Sequence, residues 1–385
     1  MGANIMSVEI REAKSLRELK EFVLFSFPLY KNNKYWVPPL IKGQVDTLRP
    51  DKNPAFEYCE AIYLLAYKDK KVAGRIAGII NRKFIEMWKK KYARFCWIDF
   101  IDDEEVSRAL LKGVEQWARS KGLEGIHGPL GFTTFDQQGM LIEGFNELAT
   151  FASVYNYDYY PRHMEKLGYQ KEVDYFEFEI KDNKVVPEKA ERICNIIMKR
   201  DQLRLFKAKS KKDLLPYAKQ VFDVINASYS PLFGFVPLTE KQIDMYVKKF
   251  FSYIQPDFVA VILDKNDRVI GFQITMPSLS RAFQKAKGRL LPFGFIHILR
   301  ALKKPKSLDF LLVGILPEYQ NKGVNALFMT DMTKTARQRG ISTAETNAEL
   351  EHNVKVQNFW KDYDPRLHKK KRIYLKLFDE QAERT

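Results

Sequence analysis

Two parts of the chain repeat the same pattern of hydrophobic and polar positions. In the first half, strand-like apolar runs at 61–67 and 72–80 are separated by four charged residues. In the second half, similar runs at 258–263 and 269–274 are separated by another polar turn. Short apolar runs bounded by turn residues are typical of strands, so each pair predicts a β-hairpin. In both hairpins the return strand carries a valine two residues before a glycine.

An amphipathic helix is predicted downstream of each hairpin. Apolar residues recur at every fourth position across 106–118, and again across 324–336. This spacing gives a helix one apolar face, and Gly122 and Gly340 are expected to end the two helices. The recurrence of the whole unit predicts an α/β protein with two tandem domains. Each domain is expected to be a mixed, mostly antiparallel sheet flanked by helices.

The two domains are expected at 1–180 and 181–385, with the division in a charged stretch that follows a predicted strand. The second domain has gained about 20 residues relative to the first, around 281–306. This insertion carries eight lysines and arginines and no acidic residue. Its apolar part, 290–299, is too short to span a bilayer but suits a membrane interface. Two interpretations remain open, a lid that admits lipid and a helix packed between domains.

Composition changes the picture mainly through charge. The 385 residues include 64 lysines and arginines against 48 acidic residues, a formal net charge of +16. Such an excess favours anionic partners, namely phosphate-bearing cofactors, nucleic acid or an acidic membrane face. Three scattered cysteines exclude a disulfide framework or a zinc cluster, and no metal is expected. No apolar run reaches the length of a membrane span, so a cytoplasmic protein is expected, with peripheral membrane contact left open.

The clearest chemical signal is a strand that leads through a short loop directly into a helix. The loop runs from Gln320 to Gly323, between a predicted strand starting at Leu308 and the helix ending before Gly340. Main-chain amides at a helix N-terminus lack intrahelical partners and attract anions. Gly323 permits close approach of a ligand, and Lys322 adds positive charge. The segment therefore predicts a phosphate-binding loop.

This segment resembles motif A of the GCN5-related N-acetyltransferase (GNAT) superfamily. The matching residues are Ile315-x-Pro317 and Gln320-x-x-Gly323-x-Asn325, where Asn325 replaces the usual small residue. The resemblance implies acyl-CoA or acetyl-CoA as co-substrate, with its pyrophosphate on the loop and its pantetheine arm along the strand. The residues expected to bind it are Val313, Ile315, Gln320, Asn321, Lys322, Gly323, Val324, Asn325 and Asn353.

The resemblance extends over nearly the whole chain. Phrases at 128–145 and 155–169 are similar to a bacterial tandem-GNAT family that includes bacterial ceramide synthase. The implied function is an acyl-CoA-dependent N-acyltransferase, with a small-molecule or lipid amine, such as a sphingoid-type base, as acceptor. The segment from Asn353 resembles a later family helix, but Trp360 stands where a tyrosine often protonates the leaving thiolate. The usual acid is therefore missing.

Amine acylation also needs a base that removes a proton from the amine. Alternation along 343–349 predicts that Glu345 and Glu349 share one face of a strand. Glu345 is the first candidate for the base and Glu349 the second. Asp309 and His352 are weaker candidates. The alternative is that these side chains are merely solvated at a strand end.

The corresponding loop of the first domain carries four consecutive acidic residues, 102–105. Carboxylates would repel a pyrophosphate, so the first domain is expected not to bind coenzyme A there. The same acids favour a helix start. Two other functions stay open for the whole chain, an aminoacyl-tRNA-dependent peptidyl transferase and a non-catalytic coenzyme A-binding scaffold. Because the second domain keeps a loop suited to coenzyme A, a nucleic-acid partner is less favoured than an acyl-CoA.

Overall fold

The structure, a computed structural model, describes residues 8–136, 138–181 and 188–378. The chain folds into two compact units. Unit 1 holds the residues up to Tyr175 together with Phe283–Gly294 and those from Lys369 onward, and unit 2 holds Phe176–Ala282 and Phe295–His368. Part of the charged stretch expected at the domain division, 182–187, lies outside the described residues. The division at residues 180 and 181 stays a prediction.

The strands, in chain order, are β1 Glu9–Glu12, β2 Cys59–Lys68, β3 Lys71–Asn81, β4 Tyr92–Phe100, β5 Gly125–Gly128, β6 Met140–Glu143, β7 Gln170–Lys181, β8 Arg204–Phe206, β9 Val259–Leu263, β10 Val269–Pro277, β11 Leu308–Ile315, β12 Thr343–Thr346, β13 Glu349–Leu350 and β14 Arg366–Leu377. The α-helices are α1 Leu16–Leu24, α2 Ser26–Leu29, α3 Ile41–Thr47, α4 Arg82–Trp88, α5 Glu104–Ser120, α6 Tyr159–Lys166, α7 Glu188–Arg200, α8 Ala218–Tyr229, α9 Glu240–Phe250, α10 Ser280–Ala286, α11 Gly294–Lys303, α12 Asn325–Gln338 and α13 Val354–Gln357.

The sheet of unit 1 has the strand order β1, β2, β3, β4, β5, β14. All neighbours are antiparallel except β4 and β5, which run parallel where Tyr92 faces Gly125. Helix α5 packs on β2 and β3, and its apolar face is fully buried at Val106, Leu110 and Val114. Each such side chain contributes about 1.5–3 kcal/mol to folding. The packing of α5 therefore fixes the helix predicted from the four-residue spacing.

The sheet of unit 2 repeats this plan with the order β7, β12, β11, β10, β9, β8. The hairpin β9–β10 is antiparallel, β10 pairs antiparallel with β11, and β11 and β12 run parallel. Helix α12 buries Met329, Met332 and Ala336 against Leu308 of β11 and Ala344 of β12. The expected fold class, two mixed and mostly antiparallel sheets with helices, is confirmed.

One strand of each sheet comes from the other half of the chain. In unit 1, β14 from the C-terminal end pairs with β5, with Tyr374 opposite Gly128. In unit 2, the last residues of β7 pair with β12, with Glu179 opposite Glu345. Neither half of the sequence thus supplies all the strands of one sheet. Sequence reasoning did not predict this exchange.

The predicted elements are present, with one exception. Both hairpins form, and the long helices end close to Gly122 and Gly340, which have φ of +71° and +69°. The single strand expected over 343–349 is interrupted. The chain leaves β12 after Thr346 because the Asn347 amide donates to the Phe310 carbonyl, and β13 begins only at Glu349.

Candidate functional site

The pairing of β11 with β12 ends after Phe310, and the space between the two strands beyond that point is here called the cleft. The two strands pair only from Leu308 to Phe310. At the point of separation the Asn347 amide donates to the Phe310 carbonyl at 2.9 Å, and the Asn347 side chain donates to the Leu311 carbonyl at 3.5 Å. Residues 311–313 are only half-buried although β11 lies inside the sheet of unit 2. One edge of β11 is therefore open beyond Phe310.

The loop after β11 is held in a tightly turned conformation. The Leu316 amide donates to the Ile270 carbonyl at 2.9 Å, and the Gln320 side-chain amide donates to the Ile315 carbonyl at 3.1 Å. Asn321 and Gly323 both adopt left-handed conformations, with φ of +60° and +81°. Such alternation turns successive amides toward one side of the chain, an arrangement that suits anions.

Five consecutive amides of this loop lack a hydrogen-bond acceptor among the described residues, although Val324 is itself buried. Within the part of the chain that the structure describes, no residue accepts a hydrogen bond from the amides of 321–325. The first amide of the segment with an acceptor is that of Ala326, which donates to the Gly323 carbonyl at 3.0 Å. The amides lie at the N-terminus of the 14-residue α12, where the helix dipole adds positive potential. This end of α12 can hold a phosphate or pyrophosphate.

Helix α7 shapes the other side of the loop. A Cβ atom at Gly323 would lie 2.9 Å from Ile197 Cδ1, so a side chain there would collide as well as strain the backbone. Arg200, the last residue of α7, donates to the Lys322 carbonyl at 3.1 Å and pairs with Asp201 at 2.6 Å. The hydrogen bond from Arg200 lowers the pKa of Asp201. Arg200 could not be predicted from the sequence, because its hydrogen bond to the Lys322 carbonyl depends on how α7 packs.

The two candidate carboxylates lie in different surroundings. Glu345 on β12 is half-buried, and its carboxylate lies 3.8 Å from Nε2 of the buried His368. Glu349 on β13 is 9% exposed, and its Oε1 accepts a hydrogen bond from Trp360 Nε1 at 2.7 Å. Burial raises the pKa of Glu349 to about 8, although the hydrogen bond from Trp360 opposes the rise. Because β12 and β13 are separate strands, the expected single face does not form.

The weaker candidates differ from each other in burial. Asp309 is buried on β11, opposite Glu345 in the β11–β12 register. The side chain of His352 is 81% exposed. Asn353 begins the single turn of α13, and no hydrogen bond between described residues joins it to the loop at 320–325. The structure thus brings Asp309 and Glu345 together and leaves His352 in solvent.

The corresponding loop of unit 1, within its described residues, is occupied by its own side chains. Asp103 caps α5, accepting from the amides of Glu105 at 2.9 Å and Val106 at 3.3 Å. Its carboxylate also pairs with Lys68. Two of the other acids have their own partners, Asp102 with His163 at 2.9 Å and Glu104 with Lys166. Asp103 therefore occupies two helix amides that could otherwise hold an anion, and the neighbouring acids are paired with basic side chains.

The basic run 369–372, close to the end of the chain, belongs to unit 1. Lys369 and Lys371 are buried, and their ammonium groups donate to the Leu148 carbonyl and the Ser153 hydroxyl. The remaining two cations of the run pair with acids, Lys370 with Glu143 at 2.8 Å and Arg372 with Asp174 at 2.8 Å. The run thus serves the packing of β14.

The described residues include neither a membrane-spanning helix nor a metal-binding cluster. None of the described helices has the length and apolarity needed to cross a membrane. In the same residues, no group of three histidine, cysteine or acidic side chains is arranged to hold a metal ion.

Comparison with known sequences yields two curated relatives of similar length. No known protein-family profile matches the chain. Protein YghO of Escherichia coli is 26% identical over 374 residues, which is 95% of each chain. Bacterial ceramide synthase of Caulobacter vibrioides is 26% identical over 374 residues, covering 94% of this chain and 96% of that protein.

Comparison with solved structures identifies the fold. A tandem GNAT protein from the clavulanic acid biosynthesis pathway superposes with a TM-score of 0.54 at 9% identity, over 96% of this chain and 98% of that one. A GCN5-related N-acetyltransferase from Sphaerobacter thermophilus gives 0.51 at 9% identity, over 96% and 95% of the two chains. The chain has the tandem GNAT fold that its sequence predicted. Of these proteins, the one from Sphaerobacter thermophilus is an N-acetyltransferase by name.

Proposed function

We propose that this protein is an acyl-CoA-dependent N-acyltransferase whose coenzyme site lies in unit 2. The proposal rests mainly on the five available amides at 321–325, which adjoin a cleft along β11. The tandem GNAT fold and the similarity to bacterial ceramide synthase support the same reaction class. The acidic, self-paired loop of unit 1 supports a single coenzyme site per chain.

The pyrophosphate of coenzyme A would bind the amides of Asn321, Lys322, Gly323, Val324 and Asn325. The pantetheine arm would then run back along the open edge of β11, beside Val313 and Ile315. The Val313 carbonyl already accepts a hydrogen bond from Tyr229 at 3.0 Å, which orders this part of the strand. The Gln320 side chain acts indirectly, because its hydrogen bond to the Ile315 carbonyl holds the loop in shape. Asn353 remains a proposed contact without further support.

In the reaction, the amine nitrogen attacks the thioester carbonyl, the C–N bond forms and the C–S bond breaks. The attacking amine loses a proton, and Glu345 is the base we propose for it. Glu345 is half-buried and still reachable from solvent, unlike Asp309. The buried Nε2 of His368 lies 3.8 Å from the Glu345 carboxylate, which is beyond hydrogen-bond distance. A positioned base typically accelerates such a step by about 10²–10⁴-fold.

We propose an amine-bearing lipid as the acceptor and a cytoplasmic protein that reaches the inner face of the membrane. The support comes from residues 281–306, here called the basic segment. Four of its large apolar side chains are exposed, namely Leu291 (76%), Phe293 (70%), Leu299 (57%) and Phe295 (40%). Exposed apolar groups of this size mark interaction sites when they cluster.

The charge of the basic segment suits an anionic lipid surface. All eight of its lysines and arginines are exposed. Apart from Arg281, none of these cations forms an ion pair with a residue that the structure describes. Each basic residue near an anionic leaflet contributes about 1 kcal/mol to binding. Apolar contact and charge thus favour the same partner, a phospholipid bilayer with anionic head groups.

The function is tested by binding and turnover of acyl-CoA. Gly323→Glu should weaken acyl-CoA binding more than tenfold, because the new side chain meets Ile197 and its charge repels the phosphates. Gly340→Glu is the matched control. Gly340 has a similar φ at the other end of α12, with no heavy atom within 4 Å of an added Cβ. Isothermal titration calorimetry measures both affinities.

Equal affinity in the wild type and in Gly323→Glu would remove the loop from the coenzyme site. Turnover with a panel of long-chain and short amines, followed by mass spectrometry of the amide, separates an enzyme from a coenzyme A-binding scaffold. Binding without amide formation or thioester cleavage would favour the scaffold.

A further inference from the structure

A buried carboxyl group lies close to the cleft and has no assigned role beyond that of an alternative base. We propose that Glu349 is the acid that protonates the thiolate of coenzyme A as it leaves. This inference rests on the proposed acyl-CoA function and names the residue that completes its chemistry. It also supplies an acid in place of the tyrosine that often protonates the thiolate, since position 360 is a tryptophan here.

One oxygen of Glu349 is held and the other is unused. Oε1 accepts the Trp360 Nε1 hydrogen bond at 2.7 Å. Oε2 is buried and forms no hydrogen bond within 3.5 Å among the described residues, although the nearby Thr346 hydroxyl also lowers the pKa of the carboxyl. An unpartnered buried oxygen costs about 1–3 kcal/mol, so it calls for a reason. A carboxyl proton on Oε2 that is donated to a substrate atom supplies such a reason.

The contacts of Trp360 connect this carboxyl to the point where the pairing of β11 and β12 ends. The Trp360 ring packs on the Phe310 ring, with their centroids 4.9 Å apart. Phe310 is the last residue of β11 that pairs with β12. A coenzyme whose pyrophosphate binds at 321–325 and whose arm follows β11 toward Phe310 would bring its thioester to this end. The acid and the leaving sulfur would then meet where the strands separate.

The surroundings keep the carboxyl protonated near neutral pH. Burial is the main cause, and the negative charge of Glu177 on β7 raises the pKa further. Glu177 is itself fully buried. The Trp360 hydrogen bond acts in the opposite direction. With a pKa of about 8, Glu349 holds its proton at neutral pH and can still release it, as a general acid requires.

Other nearby donors are less suited to this role. The indole N–H of Trp360 does not ionise in this range, and it is already engaged with Glu349. The Tyr229 hydroxyl donates to the Val313 carbonyl, and burial raises its pKa well above the usual value. Glu349 is the better acid because its proton is exchangeable near neutral pH.

The proton balance is simple. When the tetrahedral intermediate collapses, the C–S bond breaks and its electron pair stays on sulfur. The proton on Glu349 Oε2 moves to that sulfur, which gives the free thiol and the Glu349 carboxylate. The proton lost by the amine leaves through Glu345, and Glu349 takes up a proton again before the next cycle. The net products are an amide and coenzyme A thiol.

The test follows thiol release from acyl-CoA as a function of pH, with amine acceptors and with water as a slow acceptor. In the wild type, kcat should fall as pH rises through about 8, because Glu349 loses its proton. Glu349→Gln keeps the shape and can still accept from Trp360. It should lower kcat about 100-fold, leave KM for acyl-CoA unchanged and remove the alkaline limb.

Two further variants should shift the alkaline limb of the kcat–pH profile in opposite directions. Trp360→Phe removes a hydrogen bond that stabilises the carboxylate, so the alkaline limb should move to higher pH. Glu177→Gln removes a negative charge that destabilises the carboxylate, so the limb should move to lower pH. A residue with only a structural role would change stability in these variants without shifting the limb in these directions.

The possible failures can be told apart. If folded Glu349→Gln retains the wild-type kcat and alkaline limb, Glu349 is not the acid, while the acyltransferase function stands. If Glu349→Gln does not fold, the other two variants decide. An alkaline limb of kcat that lies at the wild-type pH in both Trp360→Phe and Glu177→Gln would overturn the inference. If the wild type neither acylates amines nor cleaves acyl-CoA, the proposed function fails and this inference fails with it.

Discussion

At the scale of single residues, the most informative feature is a carboxyl group that the fold keeps neutral. Glu349 is 9% exposed, receives one hydrogen bond from Trp360 and lies near the charge of Glu177. Loss of its proton places a second charge in a poorly solvated site, which is costly. A residue retained in such a site affects stability as well as chemistry.

We expect the stability of the wild type to depend on pH through Glu349. Its pKa is about 8 in the folded protein against 4.5 ordinarily, so the folded state binds more protons between these values. Stability should therefore fall as pH rises from about 5 to 8, by at most about 1.4 kcal/mol per pH unit. Glu349→Gln should lack this contribution. Urea unfolding at pH 5.5 and pH 8 measures the difference.

The stability advantage of Glu349→Gln over the wild type should thus grow with pH. Glu345→Gln is the control, because that carboxylate is half-buried. Parallel stability curves for Glu349→Gln and the wild type would contradict a raised pKa.

Only some of the site could be predicted residue by residue. Gly323 and Gly340 could be identified because a left-handed glycine next to a helix has a local signature. Arg200, Tyr229 and the Glu349–Trp360 hydrogen bond could not, since each depends on packing between elements distant in sequence. The position of Glu349 was identified from alternation, but its separate strand and its burial were not.

At the scale of elements, α5 and α12 illustrate how one design gains or loses a ligand site. Both helices follow a parallel-paired strand and end at a left-handed glycine. In α5 the start is capped by Asp103, whereas α12 has no side-chain cap. The uncapped start is the one that retains free amides. The repeat could be predicted from hydrophobic spacing, and the different surroundings of the two helix N-termini could be predicted from charge.

The basic segment should bind anionic bilayers. We expect the protein to co-sediment with vesicles that contain phosphatidylglycerol and much less with pure phosphatidylcholine, and binding should weaken with salt. Leu291→Ser with Phe293→Ser should lower the partition coefficient about tenfold or more, because both side chains are exposed and apolar. Leu215→Ser with Val354→Ser, at exposed positions outside the segment, is the matched control.

Equal binding to both kinds of vesicle, or equal loss in the control variant, would contradict this role. In that case the exposed apolar side chains of the basic segment would contact a partner other than a lipid bilayer. The outcome does not bear on the coenzyme loop, which is tested separately.

At the scale of the whole molecule, the exchanged strands make each unit depend on distant sequence. Unit 1 contains β14, whose Ile373 and Tyr374 are fully buried. Tyr374 belongs to the same apolar cluster as Phe95 and Leu110. The exchange was not predicted, because strand partners that are far apart in sequence leave no local pattern. The tandem arrangement itself could be predicted, since repetition is visible along the chain.

Removal of β14 should therefore destabilise the unit built mainly from the N-terminal half. A chain that ends at residue 365 should lose hydrogen-exchange protection in β4 and β5, because β5 loses its partner strand. Tyr374→Ala should destabilise unit 1 by about 3–5 kcal/mol. A chain that lacks only residues 379–385 is the control. Unchanged protection in the shorter chain would show that unit 1 folds without its last strand.

The strand exchange also bears on how the protein is made. A ribosome synthesises the N-terminal half long before β14, so the first sheet remains incomplete until β14 has been translated. Chaperones would meet that nascent intermediate in every round of synthesis. For the same reason, splitting the gene between the two halves would yield two polypeptides that each lack a strand of their sheet. This dependence would favour keeping both halves in one reading frame.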